Sequence, residues 1–265
     1  MGRPKIPCST QLISVYIRPN RPVGTELSPK HSNHKNRFLS AEALRQNQEI
    51  HLSEDESHHL KKVLRHKVGD LVEVFDGLGR SGEGKVVELS GKRVLISIGE
   101  VEEETCPFHL HLAFGIGKSS AVEFIIKRVG EVGVKSFQPL VTDHSLHPGE
   151  WNTERWERIS LEAQKQCQSN FLPVVNEPIR LDDWLAKRSH RTLVFCDEAE
   201  RDGGIGRPAG EVDLLIGAEG GWSERERKLV SAAHALVLGL GRNRLRTETA
   251  ALVAVLLMKV KLGEI

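Results

Sequence analysis

Short apolar runs separated by amphipathic stretches dominate the chain from residue 108 onward. Runs of this length, bounded by turn residues, are typical of buried strands, and they fall at residues 108–114, 137–141, 193–196, 212–216 and 235–240. Between them, Ser120 and Glu123 form a capping pattern at the start of a predicted helix. Apolar residues repeat there at helical spacing, at Val122, Ile125, Ile126 and Val129, and again at Trp156, Ile159 and Ala163. This alternation predicts an α/β domain with a largely parallel sheet.

The preceding segment, residues 37–104, has a different pattern. Strand-like runs at 71–75, 84–89 and 93–98 are separated by turn residues, which favours a small antiparallel barrel. One helix interrupts these strands: Ser53 and Glu56 match a capping box, and the apolar face comprises Leu60, Val63 and Leu64. Basic residues cluster beside that face, and taken alone they are better explained by a solvated helix surface than by RNA contact. The acidic stretch 101–107 ends in a proline and is interpreted as a linker.

Two glycine-rich turns stand out near the C-terminus. The first spans residues 215–223, and Ser223 with Glu226 forms a capping box that predicts a helix from about Glu224. Strand ends that open into helices bind small ligands in α/β proteins. The turn lacks the Gly-Lys-Ser or Gly-Lys-Thr of a phosphate loop and carries Glu219 instead. It therefore indicates a non-phosphorylated cofactor, or a turn that only lets a helix pack close to the sheet.

The second turn begins at Leu238-Gly239-Leu240-Gly241 and leads into a helix. Arg242, Arg244 and Arg246 crowd that helix entrance, where the helix dipole disfavours cations. A polyanion or a developing negative charge would compensate them, although arginines facing water remain the alternative. The helix that follows, residues 250–258, is apolar on all sides and is predicted to be buried.

Composition and charge narrow the classes of protein further. The 265 residues carry a net charge of +1, yet residues 1–36 hold six lysines and arginines against one glutamate. We interpret that proline-rich, basic segment as a poorly ordered arm. The four cysteines form no paired motif and no apolar run reaches membrane-span length, so we expect a cytoplasmic protein with no membrane segment. The histidines come without further ligands at suitable spacing, so we expect no metal.

Several motifs resemble the RsmE family, the bacterial uridine-N3 methyltransferases of small-subunit ribosomal RNA. They are His58-His59-Leu60-Lys61-Lys62-Val63-Leu64-Arg65, Gly69-Asp70, Phe75-Asp76-Gly77, Glu131-Val132-Gly133-Val134, Gln166-Cys167, residues 215–223 and residues 240–250. The chain departs from the family pattern at Ala218, Asn243, Arg244 and Ser169. The resemblance implies a PUA-like β-barrel domain over residues 37–104 and a SPOUT methyltransferase domain over residues 105–265. It also implies a trefoil knot, S-adenosylmethionine as cofactor, and a homodimer with active sites at its interface.

The resemblance also implies roles for individual residues. Arg246 would stabilise negative charge on the uridine ring, and Glu219 would act as the base or orient the cofactor loop. Cofactor contacts would come from Leu215, Gly217, Ala218, Glu219, Gly220, Gly221, Leu240, Gly241, Leu245, Arg246 and Thr247. RNA contacts would come from Lys61, Lys62, Arg65, Lys67, Arg242 and Arg244.

Methylation of uridine N3 in small-subunit (16S) ribosomal RNA is the function that this resemblance implies, with assembled subunits preferred over naked RNA. Two alternatives stay open: an RNA-binding ribosome-assembly factor with weak or lost catalysis, and a SPOUT enzyme that methylates a ribose 2′-hydroxyl. The product of the reaction distinguishes them.

Overall fold

Five short strands in the N-terminal half pair into one sheet of a computed structural model that describes residues 36–145, 151–200 and 205–265. They are β1 (Arg37–Leu39), β2 (Glu49–His51), β3 (Leu71–Phe75), β4 (Arg80–Glu88) and β5 (Leu95–Glu103). Their order across the sheet is β1-β3-β4-β5-β2. Alternate residues such as Val72, Val74, Val86 and Ile96 point into one apolar core. The predicted N-terminal arm, residues 1–35, lies outside the described residues.

Two expectations for this sheet are wrong. The pairing is not purely antiparallel, because β1 runs parallel to β3. The predicted linker is partly strand, because β5 continues to Glu103, which pairs with Arg80 at 3.0 Å. The acidic side chains on this part of β5 face water while its backbone still pairs with β4, so their charge misled the interpretation.

The helix of this half is shorter and less regular than its sequence pattern predicts. Ser53 caps helix α1 (Glu54–His58) by accepting a hydrogen bond from the Glu56 N–H. The Glu56 side chain does not complete a capping box; it is buried and bonds to Lys165, 2.6 Å away. From His59 the chain forms a π-helical turn, in which the Leu64 N–H donates to the His59 carbonyl. The wider turn breaks 3.6-residue spacing, so Val63 is 62% exposed and not on an apolar face.

The C-terminal half contains a seven-stranded sheet, and the apolar runs predicted five of its strands. Its strands are β6 (Leu110–Gly115), β7 (Ser136–Val141), β8 (Val174–Val175), β9 (Ile179–Arg180), β10 (Thr192–Cys196), β11 (Val212–Ile216) and β12 (Leu236–Leu238). Their order is β12-β10-β11-β6-β7-β8, with β9 also paired to β7. Every pairing in this sheet is parallel, which confirms the predicted α/β class.

Helices cover both faces of the parallel sheet. They are α2 (Ser119–Phe124), α3 (Gly130–Val132), α4 (Thr153–Cys167), α5 (Leu181–Lys187), α6 (Glu224–Ala232) and α7 (Thr247–Leu262). One core cluster joins α2, α4 and α7 to the sheet, and another joins α5 and α6 to its other face. Among the described residues, none of these helices is long and apolar enough to cross a bilayer.

Three helix and strand predictions need correction. Lys118, not Ser120, occupies the N-cap of α2 and makes no side-chain cap, because the helix already begins at Ser119. The predicted apolar face is buried, although Ile125–Val129 forms a π-helical turn. Strand β12 is an edge strand, so its Leu236 and Val237 are exposed where burial was expected.

Helix α7 has only one buried face in this chain. Ala251, Ala254, Val255 and Met258 pack into the core, as the apolar composition predicts. The opposite face exposes Leu256, Leu257 and Val260, so burial on all sides is wrong for a single chain. An exposed apolar strip of this kind often marks an interface.

Buried charged residues join the two halves. The Arg37 guanidinium donates to the Ser169 carbonyl (3.1 Å) and to the Asn170 side chain, and it lies 4.5 Å from the centre of the Phe75 ring. Its Nε lies 3.1 Å from a Glu73 carboxylate oxygen. Burial raises the pKa of the Glu56 carboxyl, and the nearby Lys165 opposes that rise. The N-terminal sheet is therefore tied to the end of α4 through polar bonds shielded from water.

Candidate active site

Three loops meet at one edge of the parallel sheet and enclose a cavity of about 770 Å³. They follow β10, β11 and β12, which are neighbours in the sheet, and the start of α7 completes the wall. Carboxyl ends of parallel strands are the usual ligand position in such sheets, and the volume lies within the range of small-molecule sites. Both glycine-rich turns contribute to this single cavity, so the structure brings together the two motifs singled out in the sequence.

The first turn is shaped by Trp222. Its indole N–H donates to the Cys196 carbonyl at 3.0 Å, and a Cβ added at Gly217 would lie 3.1 Å from the indole ring. Gly221 has φ of +70°, and an added Cβ would lie 2.9 Å from a Glu198 oxygen. Side chains larger than hydrogen are disfavoured at both positions, because they would crowd the ring or strain the backbone. The glycines therefore keep backbone groups accessible along the cavity.

Glu219 lies at the rim of the same turn. One of its carboxylate oxygens accepts a hydrogen bond from the Lys118 N–H at 3.0 Å, immediately before α2. A Cβ at Gly117 would fall 1.8 Å from this carboxylate, so the neighbouring backbone leaves space for it. Glu219 thus joins the first turn to the loop that follows β6.

The second turn supplies the opposite wall of the cavity. Leu240, Gly241, Leu245 and Thr247 line it, together with all three predicted arginines. Arg246 occupies the N-cap position of α7, where its side chain makes no capping hydrogen bond and stays exposed. The exposed guanidinium can contact a ligand at the helix entrance, where the helix N–H groups also point.

The loop after β10, residues 197–200, was not predicted to belong to the site. Asp197 accepts two hydrogen bonds from Arg227, at 2.8 and 3.0 Å. Burial raises the pKa of this carboxyl, but the bonds from Arg227 and from the Ala199 N–H together hold the pKa below its usual range. Glu198 pairs with Arg244 at 3.0 Å and so joins this loop to the second turn. The available signal was an acidic run directly after a buried strand, the position also occupied by the two glycine turns.

Two predicted cofactor residues lie outside the cavity lining. Leu215 is fully buried inside β11 and packs with Phe195 and Trp222 on the sheet face covered by α5 and α6. Gly220 packs against His144, since an added Cβ would lie 2.6 Å from that side chain. The remaining predicted cofactor residues, Gly217, Ala218, Glu219, Gly221, Leu240, Gly241, Leu245, Arg246 and Thr247, all line it.

The predicted basic RNA contacts of the N-terminal half lie on and after its π-helical turn. Lys62, Arg65 and Lys67 are exposed, and Arg65 adopts φ of +57° where the turn ends. Lys61 is less accessible and donates to the Gly91 carbonyl at 2.8 Å. None of the four lines the cavity. Within the described ranges, no group of side chains is arranged to hold a metal ion.

A charged network secures the helix after the first turn. Ser223 and Glu226 form the predicted capping box at the start of α6. Asp143 accepts hydrogen bonds from Arg225 and from the Ser223 hydroxyl, which lower the pKa of its carboxyl to about 2. Arg225 also bonds to Asp182, so the network reaches α5.

We expect this network to weaken in acid. A carboxyl whose pKa is depressed on folding contributes stability that is complete above its unfolded pKa of about 3.9 and is lost as the pH falls towards about 2. The melting-temperature difference between the wild type and Asp143→Asn should therefore shrink between pH 5 and pH 2.5. Thermal unfolding followed by circular dichroism measures it. A difference that stays constant over this range would contradict the network's contribution.

Two known protein domains match this chain. A model of the RNA methyltransferase domain matches residues 104–259, and a model of the RNA methyltransferase PUA domain matches residues 52–99. The chain belongs to the RNA methyltransferase family. The first match includes all three cavity loops, and the second includes the basic π-helical turn, so both described regions lie within family domains.

Individual RNA methyltransferases are similar to this protein over most of its length. The ribosomal RNA small subunit methyltransferase E of Synechocystis is 31% identical over 215 residues, which are 77% of this chain and 71% of that protein. The crystal structure of ribosomal RNA small subunit methyltransferase E from Neisseria gonorrhoeae, bound to S-adenosyl methionine, is 27% identical and superposes with a TM-score of 0.77, covering 86% of this chain and 98% of that one. Lpg2936 from Legionella pneumophila, also in complex with S-adenosylmethionine, is 28% identical with a TM-score of 0.75, covering 85% and 97%.

Proposed function

We propose that the protein uses S-adenosylmethionine to methylate the N3 of a uridine in small-subunit ribosomal RNA. One observation carries the proposal: the two glycine turns characteristic of the family meet in a single cavity at the carboxyl ends of β10, β11 and β12. Relatives of the same fold carry S-adenosylmethionine in their structures. The family's substrate is an RNA of the small subunit, as the relatives' names state.

The residues of the cavity suit this cofactor. Its adenosyl and methionyl parts fit the volume, and Leu240, Leu245 and Ala250 provide apolar contacts. Because Gly217, Gly221 and Gly241 have no side chains, a bound ligand can approach their backbone groups closely. The carboxylates of Asp197 and Glu198 also line the wall, where they pair with Arg227 and Arg244.

Two side chains are proposed to serve the transfer. When bound, the cofactor supplies an electrophilic methyl group that needs only an aligned nucleophile. Arg246 would stabilise the negative charge that develops on the uridine carbonyl oxygens as N3 gives its proton to solvent water. Glu219 orients the first turn, since its carboxylate is already held by the Lys118 N–H. The target uridine must leave its stack to reach the cavity.

RNA binding is proposed to use separate basic positions. Lys61, Lys62, Arg65 and Lys67 would contact phosphates from the PUA-like domain, residues 37–104, without reading sequence. Arg242 and Arg244 would do so beside the cavity of the SPOUT domain, residues 105–265. Because Arg244 pairs with Glu198, a phosphate there would compete with that carboxylate.

We further propose a trefoil knot in the C-terminal domain and a homodimer built on it. The exposed strip Leu256, Leu257 and Val260 supports the dimer, since it leaves apolar surface that a second copy of α7 would cover. The same helix lines the cavity with its first turn, at Thr247 and Ala250, so a dimer built on α7 would bring the second protomer to the side of the domain that carries the cavity. We place the reaction in the cytoplasm, where small subunits are assembled, and propose no metal requirement.

Gly115→Ala should disrupt the cofactor cavity. The added Cβ would lie 2.5 Å from the Ala218 backbone nitrogen, so the backbone of the first turn or the end of β6 must move to relieve the contact. A displacement near 1 Å in a site costs about 100-fold in rate, so we expect methyl transfer to fall by about that factor. Gly99→Ala is the matched control, because its Cβ meets its nearest neighbour at an ordinary 3.5 Å. Equal activity of the two variants would refute the close-approach argument.

The decisive experiment identifies the product. The full-length protein is incubated with labelled S-adenosylmethionine and unmodified small subunits, and nucleosides are analysed by mass spectrometry. We expect N3-methyluridine, with assembled subunits preferred over naked RNA. Residues 1–36 hold six of the 37 lysines and arginines and one of the 36 acidic residues, so the remainder is net acidic and depends on shape rather than bulk charge. A 2′-O-methyl product, or cofactor binding without any product, would instead favour the two alternatives.

A further inference from the structure

A second cavity, of about 390 Å³, lies towards the amino ends of the parallel strands, away from the edge that carries the first. Its floor is formed by residues early in their strands: His111 of β6, Ser136 of β7 and Asp213 of β11. The last turn of α5 and the loop after it form the wall. No residue is shared with the first cavity, so this space is a separate feature of the fold.

The lining carries an excess of positive charge. Lys187, Arg188 and Arg191 contribute three cations against one carboxylate, Asp213. Asp213 is only 3% exposed and is held by the Nε atoms of Arg188 (3.2 Å) and Arg191 (3.1 Å). These bonds fix both guanidinium groups while the terminal nitrogens of Arg191 stay available to another acceptor. Lys187 is exposed and forms no ion pair within the described part of the chain. The arrangement suits an anion such as a phosphate.

The rest of the lining suits a flat, polar ring. Trp184 offers an indole wall that is itself packed against the core. The Gln138 side-chain nitrogen donates to the Glu177 carbonyl (2.9 Å) and that of Asn176 donates to the Phe137 carbonyl (3.1 Å). Both amides are thereby fixed, with their oxygens left as acceptors. His111 is bonded to Ser136 (2.7 Å) and Glu211 (3.1 Å), so it completes the wall.

We propose that this second cavity binds one nucleoside monophosphate unit, with the phosphate at Lys187 and Arg191 and the base beside Trp184, Gln138 and Asn176. The volume is at the lower end of ligand sites and favours a single nucleotide over a dinucleotide. The unit is either a free nucleotide or one residue of an RNA chain, since both present the same chemistry. The RNA source rests on the proposed function; the free-nucleotide source does not.

The first arm of the test uses free ligands and the full-length protein. Equilibrium dialysis measures binding of labelled uridine and adenosine 5′-monophosphate, with inorganic phosphate for comparison. Lys187→Ala should weaken nucleotide binding by about fivefold, as expected for an exposed charge pair, and Lys187→Glu should weaken it more. Lys228→Ala is the matched control, because it removes an exposed lysine of α6 that lies outside the cavity. Phosphate that binds as tightly as the nucleotides would overturn the proposal.

The second arm uses RNA. Filter binding measures the affinity of the wild type and of the same variants for small-subunit RNA. S-adenosylmethionine binding to each variant is measured in parallel. Nucleotide binding that depends on Lys187 supports a free nucleotide as the ligand. If free nucleotides do not bind, and RNA affinity falls for both Lys187 variants but not for Lys228→Ala, the ligand is a residue of an RNA chain. If neither depends on Lys187, the proposal is refuted, whatever the methylation assay shows. A protein that binds nucleotide at Lys187 but yields no methylated product would overturn only the proposed function.

Discussion

Arg246→Ala should lower the rate of methyl transfer by at least about 100-fold, the usual cost of removing a group that stabilises a developing oxyanion. Arg246 lines the cavity at the entrance of α7, and its side chain is exposed. Since the side chain is exposed, the substitution should leave the melting temperature nearly unchanged. Single-turnover assays with saturating S-adenosylmethionine measure the rate, and dialysis measures cofactor affinity.

Two further variants distinguish a specific role of the Arg246 guanidinium in methyl transfer from a general effect of positive charge. Arg246→Lys should recover part of the rate, because it restores the charge without the planar guanidinium. Arg158→Ala removes an exposed arginine of α4 that lies outside the cavity, and it should retain wild-type activity. Turnover of Arg246→Ala within a few-fold of the wild type would remove Arg246 from the proposed mechanism.

Val260→Glu should convert a dimer into monomers and abolish most of the activity. Val260 is 60% exposed on the apolar face of α7, where a carboxylate enclosed by a second copy would lack a partner. Leaving a charge unpaired in an interface costs about 3–5 kcal/mol, or more than about 100-fold in the dimer dissociation constant. Light scattering at micromolar concentration measures the mass, and the methylation assay measures the consequence for a shared site.

Val174→Glu provides the matched control. Val174 on β8 is also 60% exposed, but it lies away from α7. The same substitution there should leave mass and activity unchanged. A wild-type protein that is stably monomeric at micromolar concentration would exclude the dimer and, with it, an active site shared between protomers.

The sequence predicted those elements whose pattern is local. The buried strand β10 is an apolar run from Leu193, and β11 is apolar except for Asp213. The capping box of Ser223 and Glu226 contains both of its partners within four residues. The strands and the capping box therefore appear where they were expected. Very short elements such as β1, β8 and β9 were missed, because two or three residues cannot display a period.

The site was predicted only in part because proximity in a sheet depends on strand order. β12, β10 and β11 are neighbours in an order that differs from the order of the chain, so the loop at 197–200 meets both glycine turns. The ion pair between Arg244 and Glu198 also depends on this strand order, because it joins the loop after β10 to the loop after β12. No local pattern in the sequence predicted the π-helical turns at His59–Val63 and Ile125–Val129, and the first of them moved Val63 off the face that its spacing predicted.

The buried Arg37 should make the two halves of the molecule unfold cooperatively. Separating them would leave its guanidinium without the Ser169 and Asn170 acceptors, and would break the contact between Glu56 and Lys165. All four tryptophans lie beyond residue 150, so their fluorescence reports on the C-terminal half alone, whereas amide exchange in β4 reports on the other. Both probes should give one coincident transition. Two family domains would then form a single thermodynamic unit, in which a destabilising substitution in the N-terminal sheet also lowers the stability of the sheet that carries the cavity.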